Sequence, residues 1–151
     1  MNNAKELIDQ GKDKVCLQDY PNAIISLNKA IHMDCNISDA YFWRGLAKKG
    51  MQDFNGAISD ISEVLKIDCS NSKALLERGL LKINIKDFLG ANEDFNKILK
   101  LDPKNSKVLN LLAFTKSRIR NYIRIIAEYN SASVKELNVL QRYYFVVRCQ
   151  N

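Results

Sequence analysis

The sequence has a single histidine, His32, and four cysteines, no two of which form a CxxC pair. Zinc needs four clustered nitrogen, sulfur or oxygen ligands, so no metal site is expected. Cys16, Cys35, Cys69 and Cys149 are expected as buried or half-buried free thiols in a reducing compartment. No run of about 18 uncharged apolar residues occurs, so no transmembrane helix is expected. The opening MNNAKELIDQGKDK has no apolar core of the kind a signal peptide carries. A cytoplasmic location is the resulting expectation. There is no glycine-rich phosphate loop and no aromatic platform motif for RNA. His32 has no Cys or Ser partner at motif spacing, and Glu93 and Asp94 are adjacent, so on a helix they diverge. No catalytic residue, no cofactor and no enzyme activity are expected.

What is present is globular. The 151 residues are 46% apolar and 26% charged, enough for one domain with a real core. The net charge of +6 is unevenly spread. Residues 1–105 carry equal numbers of basic and acidic side chains, fifteen of each. Residues 106–151 carry eight basic residues (Lys107, Lys116, Arg118, Arg120, Arg124, Lys135, Arg142, Arg148) against Glu128 and Glu136. The whole excess therefore lies in the last third, which divides the chain into two regions.

The first region repeats itself. Gly11, Gly45 and Gly79 are spaced by 34, as are Ala23, Ala57 and Ala91. Tyr20, Phe54 and Phe88 share that spacing, each preceded by an aspartate: Asp19, Asp53 and Asp87. Asp34, Asp68 and Asp102 repeat again, followed by Cys35, Cys69 and Pro103. Each unit reads as two helices. In the second unit the first helix is expected over about 39–49, with Ser38 or Asp39 as N-cap and Gly50 as the left-handed residue that closes it. The second helix is expected over about 55–67, where Ala57, Ile58, Ile61, Val64, Leu65 and Ile67 follow helical spacing. Pro21 falls just inside a helix start, where its missing amide costs nothing, and Pro103 marks a helix end.

These columns resemble the tetratricopeptide-repeat (TPR) family, whose unit is a 34-residue helix–turn–helix. The resemblance covers residues 4–105 as three units, 4–37, 38–71 and 72–105. It implies an all-α, right-handed superhelical array of antiparallel helix pairs. Residues 106–151 then form a capping helix and a basic C-terminal helical extension. Val108, Leu109, Leu112 and Ala113 are expected as the buried residues of the cap. "NSAS", Asn130 to Ser133, reads as a break, and a last helix is expected over about 133–148 with Val134, Leu137, Leu140, Tyr144 and Val147 on one face. The stretch Tyr143 to Val147 is equally strand-like by propensity.

The family typically binds an extended peptide or a helix on its concave face. Carried onto this sequence, the groove positions include Ile8 and Lys12 in the first unit. The second unit gives Phe42, Trp43, Leu46 and Lys49, and the third Lys73, Leu76 and Leu80. One branch of the family clamps the C-terminal carboxylate of chaperones. The matching residues here are Ile8, Lys12, Trp43, Lys73 and Glu77, of which only Lys73 has the required type. Glu77 would repel a carboxylate, so that ligand is not expected. The expected partner is a protein or peptide with an apolar segment, held by an exposed row of Ile8, Phe42 and Leu76 with Trp43 beside it. Tyr41 is assigned to the interior of its helix pair. The competing reading is a groove already covered, by the final segment or by self-association. A role as adaptor or scaffold follows. The alternative is docking of the basic C-terminal region on nucleic acid or acidic membrane.

Overall fold

Every second helix of this protein begins at an Asp–aromatic corner, and that corner sets the architecture. The computed structural model describes residues 2–34 and 37–148, with side chains described to residue 131. The helices are α1 (Asn2–Cys16), α2 (Tyr20–Met33), α3 (Ser38–Gly50), α4 (Phe54–Ile67), α5 (Ser72–Asn84), α6 (Phe88–Leu101) and α7 (Ser106–Arg148). No strand occurs among the described residues. Two compact units divide at residue 115, Met1–Thr115 and Lys116–Asn151.

In the first unit α1 packs on α2, α3 on α4 and α5 on α6. Contacts of α2 with α3, and of α4 with α5, stack one pair on the next. The repeat columns explain the pairing. A Cβ added at Gly11 would meet Leu27 at 2.5 Å, at Gly45 it would meet Ile61 at 3.0 Å, and at Gly79 it would meet Phe95 at 2.5 Å. Glycine is needed there because the facing helix supplies the bulk. Ala23, Ala57 and Ala91 are buried beside these contacts. Stacking the pairs makes the core: Phe42 and Ile61 share one cluster with Leu75 and Phe95.

The turns show where glycine is and is not used for its conformation. Gly50, expected to be the left-handed residue, is the last residue of α3 and has no positive φ. The left-handed place is taken by Gln18, Gln52 and Lys86, with φ of 62°, 62° and 65°. What Gly50 provides is space, since an added Cβ would lie 2.3 Å from the Tyr20 ring. At the next step Asp53 and Asp87 cap their helices by accepting from Gly56 N and Gly90 N, each at 2.9 Å. Asp19 makes no such cap, and Asn22, in the column of Gly56 and Gly90, donates to its carboxylate instead. A Cβ at Gly56 would lie 2.0 Å from the Asp53 carboxylate, so a larger residue there would make that side chain shift.

Other expectations are corrected. Ser38 and Asp39 lie inside α3, and its N-cap position is Ile37, which offers no side-chain cap. The same column holds Asn71, which accepts from Ala74 N, and Asn105, which accepts from Val108 N. The buried face of the start of α7 is Val108, Leu112 and Thr115, whereas Leu109 and Ala113 are exposed. Helical spacing favours that set, because the buried residues recur three or four apart. Helix α7 continues through Asn130–Ser133 without the expected break, and Tyr143 to Val147 are helical. Ser131 Oγ donates to the Glu128 carbonyl at 2.8 Å, a bond that a serine can make without leaving the helix. Cys16 and Cys69 are exposed rather than buried. Cys35 and Cys149, and the side chains of the expected stripe from Val134 to Val147, lie outside what is described.

A polar network was missed altogether by the sequence reading. Arg44 Nε and Nη2 donate to the two oxygens of Asp60 at 2.9 and 2.6 Å, and Lys48 adds a contact at 2.8 Å. Arg44 Nη1 reaches back to Asn28 Oδ1 of α2 at 2.7 Å. One repeat later, Arg78 forks onto Asp94 at 2.9 and 2.6 Å, Lys82 lies 2.9 Å from it, and Arg78 Nη1 donates to Ser62 at 3.1 Å. The hydrogen bond to Asp60 holds Arg44 above its ordinary pKa, against the lowering effect of burial. In the first pair the same columns hold Gln10, Lys14 and Ser26, and Lys14 Nζ donates to Ser26 at 2.9 Å.

Two predictions follow from this packing. Gly45→Ala meets the flexible end of Ile61 at 3.0–3.1 Å and the Ala57 carbonyl at an ordinary 3.4 Å, so its helix-propensity gain of about 1 kcal/mol offsets the crowding. Gly79→Ala meets a buried ring, so overpacking prevails and urea unfolding should show a loss of about 1–2 kcal/mol. Equal effects at the two positions would contradict this account. Asp94 is 1% exposed, and Asp94→Ala leaves Arg78 and Lys82 without their shared carboxylate. The expected loss is about 3 kcal/mol or more in the same measurement. A loss below about 1 kcal/mol would mean that both cations recover water.

Candidate functional site

The candidate groove residues come from the first helix of each pair, α1, α3 and α5. The structure divides them into three groups. Ile8 and Phe42 are only 9% and 7% exposed. They belong to the core, so the expected exposed apolar row does not form. Phe42 lies in the cluster that contains Ala74 and Leu75 of the next pair, which accounts for its burial. Leu46, Leu76 and Leu80 are half-buried, each keeping part of its surface in solvent.

The second group is centred on Trp43, which is half-buried. Its ring stands edge-on to Phe42, with centroids 6.0 Å apart and planes at 88°. Lys12 Nζ from α1 lies 5.6 Å from the Trp43 centroid, and Lys73 Nζ from α5 lies 5.8 Å from it. Lys73 Nζ is also 4.8 Å from the Phe42 centroid. Three successive first helices therefore converge on one indole. At these distances an ammonium is attracted to the ring's π-face, by about 0.5–1 kcal/mol at an exposed site. Lys12 and Lys73 are both exposed, so their charges remain accessible to an anionic group.

The third group is an ion pair. Lys49 Nζ donates to Glu77 Oε2 at 2.8 Å, joining α3 to α5. Glu77, which on sequence grounds would repel a carboxylate, carries its counter-charge with it. The signal for these contacts was present in the spacing. Lys12, Trp43 and Lys73 follow each other at about one helical turn less than the 34-residue period. Adjacent helices that stack with that offset bring such residues side by side.

Tyr41 points away from this cluster in role: it packs on the core, with the Arg44 guanidinium 5.3 Å from its ring centroid. No cluster of metal-ligating side chains occurs among the described residues. His32 is exposed at the end of α2.

No protein-family model matches the sequence, and no curated protein is significantly similar to it. Solved structures do match. The first TPR of Spaghetti (RPAP3) bound to HSP90 peptide SRMEEVD superposes with a TM-score of 0.74 at 23% identity, over 79% of this chain and 94% of that one. The second TPR domain of human RPAP3, in complex with HSP70 peptide SGPTIEEVD, gives 0.69 at 25% identity over 76% and 95%. The Sgt2 TPR domain from Aspergillus fumigatus gives 0.73 at 21% identity over 82% and 83%. With its 34-residue columns and its stacked helix pairs, the chain has the tetratricopeptide-repeat fold.

Proposed function

We propose that this chain is a protein-interaction module, an adaptor rather than an enzyme, that takes an extended peptide along α1, α3 and α5. The observation that carries this reading is the half-buried Trp43 ring with the Lys12 and Lys73 ammonium groups within 6 Å of it. An indole offers a flat apolar contact, and such residues dominate binding energies where they are well buried. The two lysines add a demand for negative charge. The ligand that fits is a segment with an apolar side chain next to a carboxylate, which is more specific than the apolar segment suggested by the sequence.

Peptides bound by two proteins of the same fold support this direction. SRMEEVD and SGPTIEEVD both combine apolar and acidic residues. The way this chain would hold such a peptide differs from the family's carboxylate clamp. Ile8 is buried, and Glu77 is engaged by Lys49. The carboxylate would meet only Lys12 and Lys73, two of the five clamp places, beside the indole that stands at a third.

Trp43 is the sole tryptophan, so its emission reports on the site directly. Titration with SRMEEVD should shift that emission saturably. The counterpart peptide with each acidic residue changed to its amide should bind at least about tenfold more weakly, a difference of about 1.4 kcal/mol. Lys73→Glu should weaken the acidic peptide by a similar factor, and moderate salt should do so partly. Trp43→Ala, followed by calorimetry, should cost about 2 kcal/mol or more. Equal affinity for the acidic and amide peptides would remove the charged part of the reading. Unchanged affinity in Trp43→Ala would remove the site.

A further inference from the structure

The first stretch of α7 beyond the stacked pairs, residues 116–131, carries a face that none of the foregoing uses. At about 100° per residue, Tyr122, Ile126 and Tyr129 fall on one side of the helix, with Ile123 and Ile125 at its edges. All five are exposed, Ile123 at 62% and Tyr129 at 75%. The same geometry puts Arg120 and Arg124 on the other side and Lys116 at the flank beside Ile123, whereas Arg118 falls among the apolar residues, one turn before Tyr122. Against these cations the stretch has one acidic residue, Glu128, whose Oε1 is 3.8 Å from Arg124 in an exposed pair. Such a pair is weak in water, so the local field stays positive.

We propose that residues 116–131 form an interfacial helix that lies on an anionic lipid surface. Several observations select that occupant. Isoleucines and tyrosines opposite Arg120 and Arg124 are the pattern of helices that lie at the headgroup boundary, where phenol rings keep their hydroxyls wet and the long Arg118 side chain can extend to the headgroups. The charge is complementary to acidic headgroups, and the chain's whole net charge of +6 resides in residues 106–151. No helix among the described residues is long and apolar enough to cross a membrane, so the contact is one of lying on the surface. A second copy packed on this face would take Arg118 out of water in the seam, which disfavours self-pairing through it.

Flotation of the full-length protein with vesicles tests this. Phosphatidylcholine vesicles containing phosphatidylserine should bind it, and phosphatidylcholine alone should bind at least about tenfold less. Arg120→Ala and Arg124→Ala should each weaken binding by about fivefold. Ile126→Asp and Ile123→Asp, both at exposed positions, should abolish it while leaving the urea transition of the protein in place. The proposal is overturned if anionic vesicles do not bind the folded protein, or if Ile126→Asp binds them as well as the wild type. It is also overturned if sedimentation shows a dimer that Ile126→Asp dissociates, because the occupant would then be a second copy. Binding of single-stranded RNA that is tighter than lipid binding and indifferent to Ile126→Asp would assign the basic face to nucleic acid instead.

Discussion

Two buried carboxylates, Asp60 and Asp94, hold the array in register. Each is gripped by an arginine fork from the helix it pairs with, and the same arginine reaches a polar side chain of the preceding pair. Burying these charges costs free energy that the ion pairs do not fully return. Their effect is on geometry. A shift of one helix against the next would leave a carboxylate or a guanidinium unpaired in a dry interface, a far larger cost than the paired state carries. Apolar packing supplies most of the cohesion, and the network decides which of many similar packings is kept. The glycine column works alongside it, since the forks close only where the helices approach as nearly as Gly45 and Gly79 allow.

This arrangement leaves two surfaces of different character. Along α1, α3 and α5 the core absorbs Ile8 and Phe42, and what remains is one indole set among cations, with Leu46, Leu76 and Leu80 half-buried. On residues 116–131 the balance is reversed: isoleucine and tyrosine side chains stand in solvent, with Arg120 and Arg124 on the other side. The first surface recognises through a few placed groups. The second presents area and net charge, and suits a partner without fixed shape.

The repeat was legible because a 34-residue period with several columns has one economical structural meaning. Helix pairs and the Asp–aromatic corners followed from it. The misses have local causes. Gly50 was assigned a conformational role, but its neighbour Tyr20 lies thirty positions away and only the folded chain brings them together. Phe42 was placed in the groove by column, but its burial depends on Ala74 and Leu75 of the following pair. Asn130–Ser133 looked like a break because asparagine and serine are weak helix formers. None is glycine or proline, however, and Ser131 bonds back within the helix. The Arg–Asp network was visible in the columns 44/78, 48/82 and 60/94, where opposite charges repeat in step.

The forks of Arg44 and Arg78 span 16 residues in each direction, forward to Asp60 or Asp94 and back to Asn28 or Ser62. Even the links between pairs are thus short-range along the chain. Little loop-closure entropy has to be overcome before they form, which favours rapid assembly by growth from any pair that forms first. The same locality means that no long-range contact ties the first pair to the third through this network. Opening of the array is then a matter of neighbours releasing neighbours.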